Sequence, residues 1–535
     1  PGYNVRETFM AEHTVAKRDS LHDGQMKEIE INGRKLGLAR IDGKYYVFGG
    51  LCPHHGAPLG EGMLHGQTVR CPWHHSIFDV TTGRFLEPPT LDDIPVFEAK
   101  IVGDDVVVVV PDELPSEART PRMAAFDPKG DSRVFVILGT GAAGLVAAET
   151  LRQDGFSGRI VMVTRESEMP YDRTELSKRY LAKADQEQPF LRREEFFRDH
   201  SIEVMLDHEA TDVSFTGKQV FFRQGQPLSY DRLLVATGGV PKTLGVEGEN
   251  LPGVFLLRTL SDCQQIRNLE GVQKALIVGS AFIGMEVAAS LRQRNVEVSV
   301  VSPDAVPFEK GFGPDVGRMF QSIHEQNGVT FRMGRKVNRF EQSVDGVVAH
   351  LDDGSRLAAQ RVVIGVGVRP ATDFIRGVPI NRDGSISVDS RMRMTQDVWA
   401  AGDIAQFPDW RTMRPIRIEH WRSAQQMGRC AAHNMAGMDA PYTGVPFFWT
   451  FQYRTVLQYV GHAAQYDAVE IYGDVDGGKF LSMYLQDGRV LAVAGCDEDL
   501  KIAAAAEILK RPSLPSSREL LDQVEESEKI SESPK

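Results

Sequence analysis

The sequence lacks the features that mark a membrane protein, a nucleic-acid-binding protein or a disulfide-stabilised secreted domain. No run of about 18 apolar residues occurs among its 535 residues, so a membrane-spanning helix is not expected. The formal net charge is -12, so the chain has no basic excess with which to bind nucleic acid or anionic lipid. Its five cysteines are an odd and scattered set, which argues against a disulfide framework and indicates a reducing compartment, for which we expect the cytoplasm.

The character of the sequence changes along the chain, which indicates a multidomain protein. Short β-like runs between Gly and Asp turns predict an all-β domain, and apolar strands alternating with amphipathic helices predict an α/β fold after it. The predicted boundaries are 1–110 for the all-β domain, 111–132 for a linker, 133–258 and 381–437 for the two parts of a first dinucleotide-binding domain, 259–380 for a second such domain, 438–515 for a C-terminal α+β domain and 516–535 for a polar tail without regular structure.

Cysteine and histidine are concentrated in one N-terminal segment, which reads Cys52-Pro-His54 and, after 16 intervening residues, Cys71-Pro-Trp-His74. Two cysteines and two histidines can bind structural zinc or an iron–sulfur cluster. Each loop supplies one ligand of each kind, whereas zinc fingers usually pair like ligands. We therefore favour a two-iron, two-sulfide cluster with thiolates on one iron and imidazoles on the other. His75, beside the last ligand, is expected to be an exposed residue over the cluster.

A glycine-rich turn follows the apolar strand "VFVIL" and precedes a helix-like segment. Gly139, Gly141 and Gly144 have the spacing of a dinucleotide pyrophosphate site, where they allow a tight turn, an approach of backbone to phosphate and close helix packing. Glu166 follows the second strand, where an acidic side chain can accept a hydrogen bond from a ribose hydroxyl. The sequence therefore predicts a dinucleotide-binding unit here.

A second turn of the same kind lies about 140 residues further along the chain and contains Gly279, Ala281 and Gly284. Alanine replaces the middle glycine of the motif, and its side chain is small enough to tolerate a nearby phosphate. The acidic residue that reads the ribose of this second unit is expected at position 302, which is Ser302.

Ser302 leaves the choice of nicotinamide dinucleotide open. Asp304 can supply the missing carboxylate, which suits NADH, whereas Arg292 or Arg294 can meet the 2′-phosphate of NADPH. We favour NADH and keep NADPH as the alternative.

Several longer stretches resemble known families. "CPHHGAPL" and "CPWHHSIFD" resemble the cluster-binding loops of Rieske proteins. Respiratory members carry a disulfide between these loops, and the matching positions here are Ala57 and Trp73, so the resemblance is to the ferredoxin-type members. "MPYDRTELSK", "LLVATGG" and "TQDVWAAGDIA" resemble motifs of flavoproteins of the ferredoxin-reductase and apoptosis-inducing-factor type, which have glutathione-reductase-like FAD and NAD(P) domains.

The flavoprotein resemblance implies cofactor contacts residue by residue. It assigns the first glycine turn and Glu166 to FAD. It also assigns the following further residues to FAD: Arg173, Lys178, Ala210, Thr237, Gly238, Asp403, Glu419, His420, Trp421, Trp449, Thr450 and Phe451. In addition to the second turn and Ser302, it assigns to NAD(P)H Glu286 and Gly367. It also implies that Lys178 and Glu286 form a buried pair beside the flavin and the nicotinamide, and we expect these two residues to act in catalysis.

The two resemblances together imply an NAD(P)H-dependent reductase. Nicotinamide gives up two electrons as a hydride and an iron–sulfur cluster accepts one, so FAD stands between them. We expect electrons to pass to a ferredoxin, a cytochrome P450 or an oxygenase. The alternatives are a redox-sensing interaction protein with slow NAD(P)H turnover and electron flow in the opposite direction, and a homodimer is one open option. Disulfide reduction is excluded, since no cysteine lies between Cys71 and Cys263.

Overall fold

The structure is a computed structural model that describes residues 10–531. These residues divide into two compact units. The first unit contains residues 10–122, 459–470 and 483–531, and the second contains residues 123–458 and 471–482. Both ends of the described chain therefore belong to the same unit. None of the helices within residues 10–531 is long and apolar enough to cross a membrane.

Ten short strands build the N-terminal part of the first unit. They are β1 Met10–Lys17, β2 Met26–Ile31, β3 Arg34–Ile41, β4 Lys44–Gly49, β5 Met63–His65, β6 Thr68–Arg70, β7 Ile77–Asp79, β8 Phe85–Glu87, β9 Val96–Val102 and β10 Asp105–Pro111. They form two antiparallel sheets with the orders β1-β10-β9-β4-β3-β2 and β5-β6-β7-β8. Asn32-Gly33 and Asp42-Gly43 form two-residue hairpin turns with positive φ at every position, which the twist of paired strands favours. The predicted all-β domain is confirmed.

The second unit alternates strands and helices over most of its length. Its strands before residue 260 are β11 Val134–Leu138, β12 Arg159–Val163, β13 Ile202–Met205, β14 Ala210–Ser214, β15 Gln219–Phe222, β16 Leu228–Ser229, β17 Arg232–Val235, β18 Gly239–Pro241 and β19 Val254–Leu256. Those that follow are β20 Lys274–Val278, β21 Glu297–Ser302, β22 Val329–Met333, β23 Val337–Ser343, β24 Gly346–Leu351, β25 Arg356–Ala359, β26 Arg361–Ile364, β27 Val368–Pro370, β28 Ile386–Ser387, β29 Arg393–Thr395, β30 Val398–Ala400, β31 Ala405–Pro408 and β32 Pro415–Arg417. Its helices are α1 Ala142–Gln153, α2 Arg179–Ala182, α3 Glu194–Asp199, α4 Leu260–Arg267, α5 Phe282–Gln293, α6 Glu309–Phe312, α7 Pro314–Gln326 and α8 Trp421–Ala436.

Two parallel sheets in this unit repeat one strand order. The first runs β13-β12-β11-β17-β30, with the antiparallel strand β29 at its edge, and the second runs β22-β21-β20-β26-β19. Helix α1 follows β11 and helix α5 follows β20, the first strand of each repeat. The strand order reverses beside that first strand, and ligands of doubly wound sheets bind at such a reversal. The predicted pair of dinucleotide-binding domains is confirmed.

The C-terminal part of the chain contains both strands and helices, as the sequence predicts. The strands are β33 Phe447–Gln452, β34 Thr455–Gly461, β35 Ala468–Asp474, β36 Lys479–Gln486 and β37 Arg489–Cys496. Two helices follow, α9 Asp499–Ile508 and α10 Ser517–Ser531.

The tail predicted to lack regular structure at 516–535 is helical where the structure describes it. Leu520 and Val524 in α10 are fully buried, whereas Asp522 and Glu525 are exposed. One apolar side chain per turn gives the helix a face that packs on α9, and the polar composition of the segment hides this pattern. The prediction is therefore wrong for α10, and residues 532–535 lie outside the described part.

The predicted linker has no regular structure but is not free along its length. Residues 112–132, all of them described, contain no helix and no extended strand. The guanidinium of Arg34 donates hydrogen bonds to the backbone carbonyls of Leu114 at 2.9 Å and Pro115 at 2.7 Å, and it forms an ion pair with Glu117. The first half of the linker is thus bound to the N-terminal domain.

An ion pair also joins the N-terminal domain to helix α9 within the first unit. Arg70, the last residue of β6, pairs with Glu507, and their side chains are only 5% and 14% exposed. Burial acts to raise the pKa of Glu507, but the charges of Arg70 and Lys510 outweigh it and lower this pKa to about 2. The pair therefore stays charged at neutral pH and ties the two segments together.

We expect Leu520→Ala to loosen α10 and to lower the free energy of unfolding of the first unit by about 2–5 kcal/mol, because it leaves a cavity at a buried position. Asp522→Ala in the same helix is the matched control and should change this free energy by less than about 0.5 kcal/mol. Thermal melting and hydrogen exchange in residues 499–531 measure the effect. Equal protection in the two variants would contradict the packing of α10 on α9.

Candidate functional site

Two loops of the N-terminal domain adopt the same turn. In the first, the backbone N–H of Gly56 donates to the carbonyl of Cys52 at 2.8 Å. In the second, the N–H of His75 donates to the carbonyl of Cys71 at 3.2 Å. The fourth residue after each cysteine has a left-handed backbone, with φ of 75° at Gly56 and 62° at His75. The two cysteines therefore begin equivalent turns.

His75 differs from its predicted exposure over the cluster, because its side chain is fully buried. It occupies a left-handed position that favours glycine, and the first loop has Gly56 there. The turn's hydrogen bond and the buried ring together hold this conformation at His75. The sequence could not reveal this, since a residue type does not report its own burial.

The four predicted cluster ligands converge between these turns. The Nδ1 atoms of His54 and His74 lie 3.1 Å apart, with the rings edge to face. Cys52 and Cys71 are buried, and their side chains are hydrogen-bonded to each other. Burial opposes ionisation of Cys71, but its hydrogen bonds with the Cys52 side chain and with the backbone of His74 and Trp73 together outweigh burial and lower the pKa of Cys71. Two sulfur and two nitrogen donors in one place fit the mixed thiolate–imidazole coordination of a Rieske cluster.

A cavity of about 520 Å³ lies in the second unit, a volume within the usual range for a small-ligand site. It reaches from the first glycine turn past the second one and along β33. The predicted residues that line it are Gly139, Gly141, Glu166, Arg173, Lys178, Ala210, Thr237, Gly238, Ala281, Glu286, Gly367, Asp403, Glu419, His420, Trp421 and Trp449. The predicted residues that do not line it are Gly144, Gly279, Gly284, Ser302, Thr450 and Phe451.

The first glycine of each turn occupies an equivalent place. Gly139 has a φ of 109° and Gly279 a φ of 108°, values that side chains rarely allow. A Cβ at Gly139 would overlap the carbonyl oxygen of Ala236, and a Cβ at Gly279 would overlap that of Gly365. Each turn therefore needs glycine both for its backbone angle and for its contact with a neighbouring strand.

The third glycine of each turn lies behind the cavity. A Cβ at Gly144 would overlap the carbonyl oxygen of Gly139, and a Cβ at Gly284 would overlap that of Gly279. The middle position is less restricted, since Gly141 and Ala281 both have extended backbones that any residue adopts. This explains why alanine is accepted in the second turn.

Glu166 and Arg173 lie together at the cavity wall as an ion pair. The hydroxyl of Tyr171 donates to the Glu166 carboxylate at 2.5 Å and accepts hydrogen bonds from Arg173 at 2.6 Å and from the N–H of Leu260 at 3.0 Å. Burial acts to raise the pKa of Glu166, but the charge and hydrogen bonds of Arg173 and the hydrogen bond of Tyr171 outweigh it, so this pKa is lowered. Tyr171 is not among the predicted site residues, although it lies in the motif "MPYDRTELSK" two residues before Arg173.

Asp403 lies on the cavity wall opposite a cation that no motif identified. Its carboxylate pairs with the guanidinium of Arg258 at 3.1 Å. Thr237 is fixed nearby, because its hydroxyl donates to the carbonyl of Ala371 at 2.8 Å. A polar group of a ligand at this wall can therefore bind to the Asp403 carboxylate or to the Arg258 guanidinium beside it.

Lys178 and Glu286 form the ion pair that the sequence predicts. The Nζ atom of Lys178 lies 3.0 Å from a carboxylate oxygen of Glu286, and their side chains are 10% and 4% exposed. The hydroxyl of Ser177 donates to the same oxygen, and that of Thr450 donates to the other oxygen at 2.8 Å. Thr450 therefore lies behind Glu286 instead of on the cavity wall.

Aromatic side chains close one end of the cavity. Phe282 of helix α5 and Phe448 of β33 line it together, with ring centres 4.9 Å apart, and Phe448 also packs on the imidazole of His420 at 4.3 Å. Phe451 does not line the cavity, in contrast to the prediction. Its side chain is 41% exposed whereas that of Thr450 next to it is buried, because successive side chains of a strand point to opposite faces.

Ser302 is buried at the end of β21 and makes a hydrogen bond with Asp304. Asp304 also pairs with Lys310 at 2.9 Å. The two arginines considered for a 2′-phosphate are engaged with backbone carbonyls, Arg292 with Val296 at 2.7 Å and Arg294 with Arg267 at 2.8 Å. The carboxylate of Asp304 is thus the charged group closest in sequence to the predicted ribose position.

Three family models match successive parts of the chain: a Rieske [2Fe-2S] domain at residues 11–98, a pyridine nucleotide-disulphide oxidoreductase at 133–428 and a reductase C-terminal domain at 447–529. Apoptosis-inducing factor 3 of Mus musculus is 38% identical over 510 residues, which cover 93% of this chain and 84% of that protein. Putidaredoxin reductase CamA of Pseudomonas putida is 32% identical over 383 residues, which cover 70% of this chain and 91% of that protein. The crystal structure of the covalent putidaredoxin reductase–putidaredoxin complex superposes with a TM-score of 0.69 and 30% identity, over 74% of this chain and 98% of that chain.

We expect Gly144→Ala and Gly284→Ala to affect different dinucleotides, although the new methyl group meets the same kind of carbonyl in both turns. Gly144→Ala should lose most of its bound flavin, since it displaces the N-terminus of α1 that receives a pyrophosphate. Gly284→Ala should keep its flavin and bind nicotinamide dinucleotide at least about tenfold more weakly. Absorbance of the purified proteins and dinucleotide titrations measure both effects. Flavin loss in Gly284→Ala alone would reverse the assignment of the two turns.

Proposed function

We propose, given that this chain belongs to the pyridine nucleotide-disulphide oxidoreductase family and carries a Rieske [2Fe-2S] domain, that it passes electrons from NAD(P)H through FAD and the Rieske cluster to a one-electron acceptor protein. The chain is a ferredoxin-reductase-like NAD(P)H oxidoreductase. The order of its carriers and the identity of its acceptor are the proposed part.

One observation carries the proposal: the chain has two sites of different chemistry. The cavity combines two dinucleotide turns and a buried Lys178–Glu286 pair, whereas the N-terminal loops bring together two thiols and two imidazoles. When bound, FAD converts a two-electron hydride donor into a source of single electrons, and a Rieske cluster carries one electron at a time. The two sites together therefore suit a protein that takes electrons from a two-electron donor and passes them on one at a time.

The chain's own residues bind and orient the cofactors in this proposal. The Gly139 turn receives the FAD pyrophosphate at the N-terminus of α1, and Glu166 accepts a hydrogen bond from a ribose hydroxyl. Asp403 holds the ribityl chain. Lys178 and Glu286 lie beside the reacting rings, and the aromatic end of the cavity excludes water, which strengthens the interactions of their charges.

The acceptor class that we propose is a ferredoxin, a cytochrome P450 or an oxygenase. Relatives of this chain are named as ferredoxin reductases of oxygenase systems, and one is solved in complex with putidaredoxin. We retain the cytoplasm as the predicted location and a homodimer as an open option.

A redox-sensing interaction protein is the second candidate function. The observation that favours it is that apoptosis-inducing factor 3 covers 93% of this chain, more than the ferredoxin reductases do. Such a protein would turn over NAD(P)H slowly.

We expect Cys52→Ser to leave the reduction of flavin by NAD(P)H unchanged and to lower the delivery of electrons to a one-electron acceptor by at least about tenfold, because it removes a thiolate ligand of the cluster. Stopped-flow flavin absorbance measures the first step, and reduction of ferredoxin or of cytochrome c as a probe measures the second. Cys496→Ser, at another buried cysteine, is the matched control and should change neither.

Equal loss of both activities in Cys52→Ser would contradict the proposed carrier order. A reduced flavin in the unaltered protein that persists with its bound nicotinamide and reduces neither acceptor would favour the sensor instead.

We expect NADH to be used with at least about tenfold higher kcat/KM than NADPH, because Arg292 and Arg294 are engaged with backbone carbonyls and Asp304 carries a negative charge. Asp304→Ala should raise the KM for NADH several-fold with little change in kcat, since a ribose contact is made equally in the ground and transition states. Steady-state kinetics with both dinucleotides provide the measurement. A preference for NADPH in the unaltered protein would refute this selectivity.

A further inference from the structure

A line of buried polar side chains continues from Glu286 away from the cavity. Thr450 and Gln452 lie on one face of β33, and His324 lies on helix α7, and these three side chains are at most 1% exposed. Interiors of this kind are usually filled by apolar side chains, because a buried polar group is stable only when it is hydrogen-bonded. The line therefore needs an explanation beyond packing.

The hydrogen bonds of this line are continuous. Nε2 of His324 lies 2.7 Å from Oε1 of Gln452, Nε2 of Gln452 donates to the Thr450 hydroxyl at 3.0 Å, and that hydroxyl donates to Glu286 at 2.8 Å. We call these three residues, His324, Gln452 and Thr450, the Glu286 support chain.

Every donor in the Glu286 support chain points toward the carboxylate. The single proton of the Thr450 hydroxyl is donated to Glu286, so its oxygen must accept from the Gln452 amide. The Gln452 oxygen then faces His324, and this contact requires a proton on Nε2 of that ring. Burial lowers the pKa of His324 to about 4, so the ring is neutral and supplies this N–H near neutral pH. Hydrogen bonds aligned in one direction polarise one another, and here they end on an anion.

Proton conduction is a poor explanation for this chain. The Gln452 amide lies in its middle, and an amide N–H cannot pass a proton on without converting to a high-energy tautomer. A chain that orients a carboxylate has no such restriction.

We propose that His324, Gln452 and Thr450 are positioning residues that fix the orientation of the Glu286 carboxylate toward Lys178. This inference rests on the proposed function, in which Glu286 and Lys178 lie beside the reacting rings. Thr450 holds one carboxylate oxygen, which leaves the other for Ser177 and Lys178. Strand β33 would thereby set the geometry of a residue on helix α5, far from it in sequence.

The first test is Thr450→Val, which keeps the shape of the side chain and removes its hydroxyl. We expect hydride transfer from NADH to the bound flavin to slow by about tenfold, with nearly unchanged nicotinamide affinity, because a hydrogen bond to a charged group is lost. Thr450→Ser should restore the rate. Thr372→Val makes the same change at a buried threonine whose hydroxyl donates to the backbone carbonyl of Gly384, and it should have no effect.

The second test asks whether the three residues act as a chain. As a single substitution, Gln452→Leu should slow hydride transfer by several-fold. Added to Thr450→Val, it should slow the transfer no further, since the effects of coupled residues are non-additive. His324→Phe should behave like Gln452→Leu. Additive effects that follow the melting temperature would instead show a merely structural role and would overturn the inference.

The third readout does not need NADH. The midpoint potential of the bound flavin, measured by chemical reduction, should become more negative in Thr450→Val, because the Glu286 carboxylate loses a donor that partly offsets its negative charge and therefore repels a reduced flavin more. Unchanged potentials across all variants would overturn the inference. A different outcome would separate this inference from the proposed function. If neither NADH nor NADPH reduces the unaltered protein, but the flavin potential shifts in Thr450→Val and returns in Thr450→Ser, the proposed function fails and the positioning role stands.

Discussion

Close contact of backbone with backbone at the two glycine turns is the constraint on which the cavity depends. In each turn the first glycine touches a neighbouring strand and the third touches the first, so that a helix N-terminus is held against the end of its sheet. Helices α1 and α5 therefore present unpaired N–H groups to one cavity, and such groups attract phosphate. The surrounding polar residues act on a ligand only because the turns first allow it this close.

Features set by local backbone geometry could be predicted from the sequence. The glycine turns, the paired Cys and His loops and the alternation of strands and helices each depend on residues close together in the chain. The replacement of the middle glycine by Ala281 was also interpretable, because the backbone at that position is one that any residue adopts. His75 shows the limit, since its left-handed backbone and its burial follow from the folded loop and not from its residue type.

Features that depend on distant partners could not be predicted. Helix α10 contains few apolar residues, and it is stabilised because its buried face, with Leu520 and Val524, packs on α9 and β37. Tyr171 and Arg258 are held at the site through hydrogen bonds with residues in other segments, the N–H of Leu260 and the carboxylate of Asp403. Nothing in the spacing of the sequence announces such partners, because tertiary packing alone brings them together.

Strand β33 shows why a C-terminal segment belongs to a site otherwise built from dinucleotide-binding domains. The Glu286 carboxylate is almost fully buried, and Ser177 and Lys178 reach one of its oxygens from the cavity wall. The donor to the other oxygen comes from behind, and the alternation of a strand provides it, since Thr450 is buried while Phe451 beside it is exposed. Trp449 of the same strand lines the cavity, so one short segment both shapes the wall and supports the charge beside it. In the positioning role that we propose, residues behind the cavity wall set the orientation of a carboxylate that lines it.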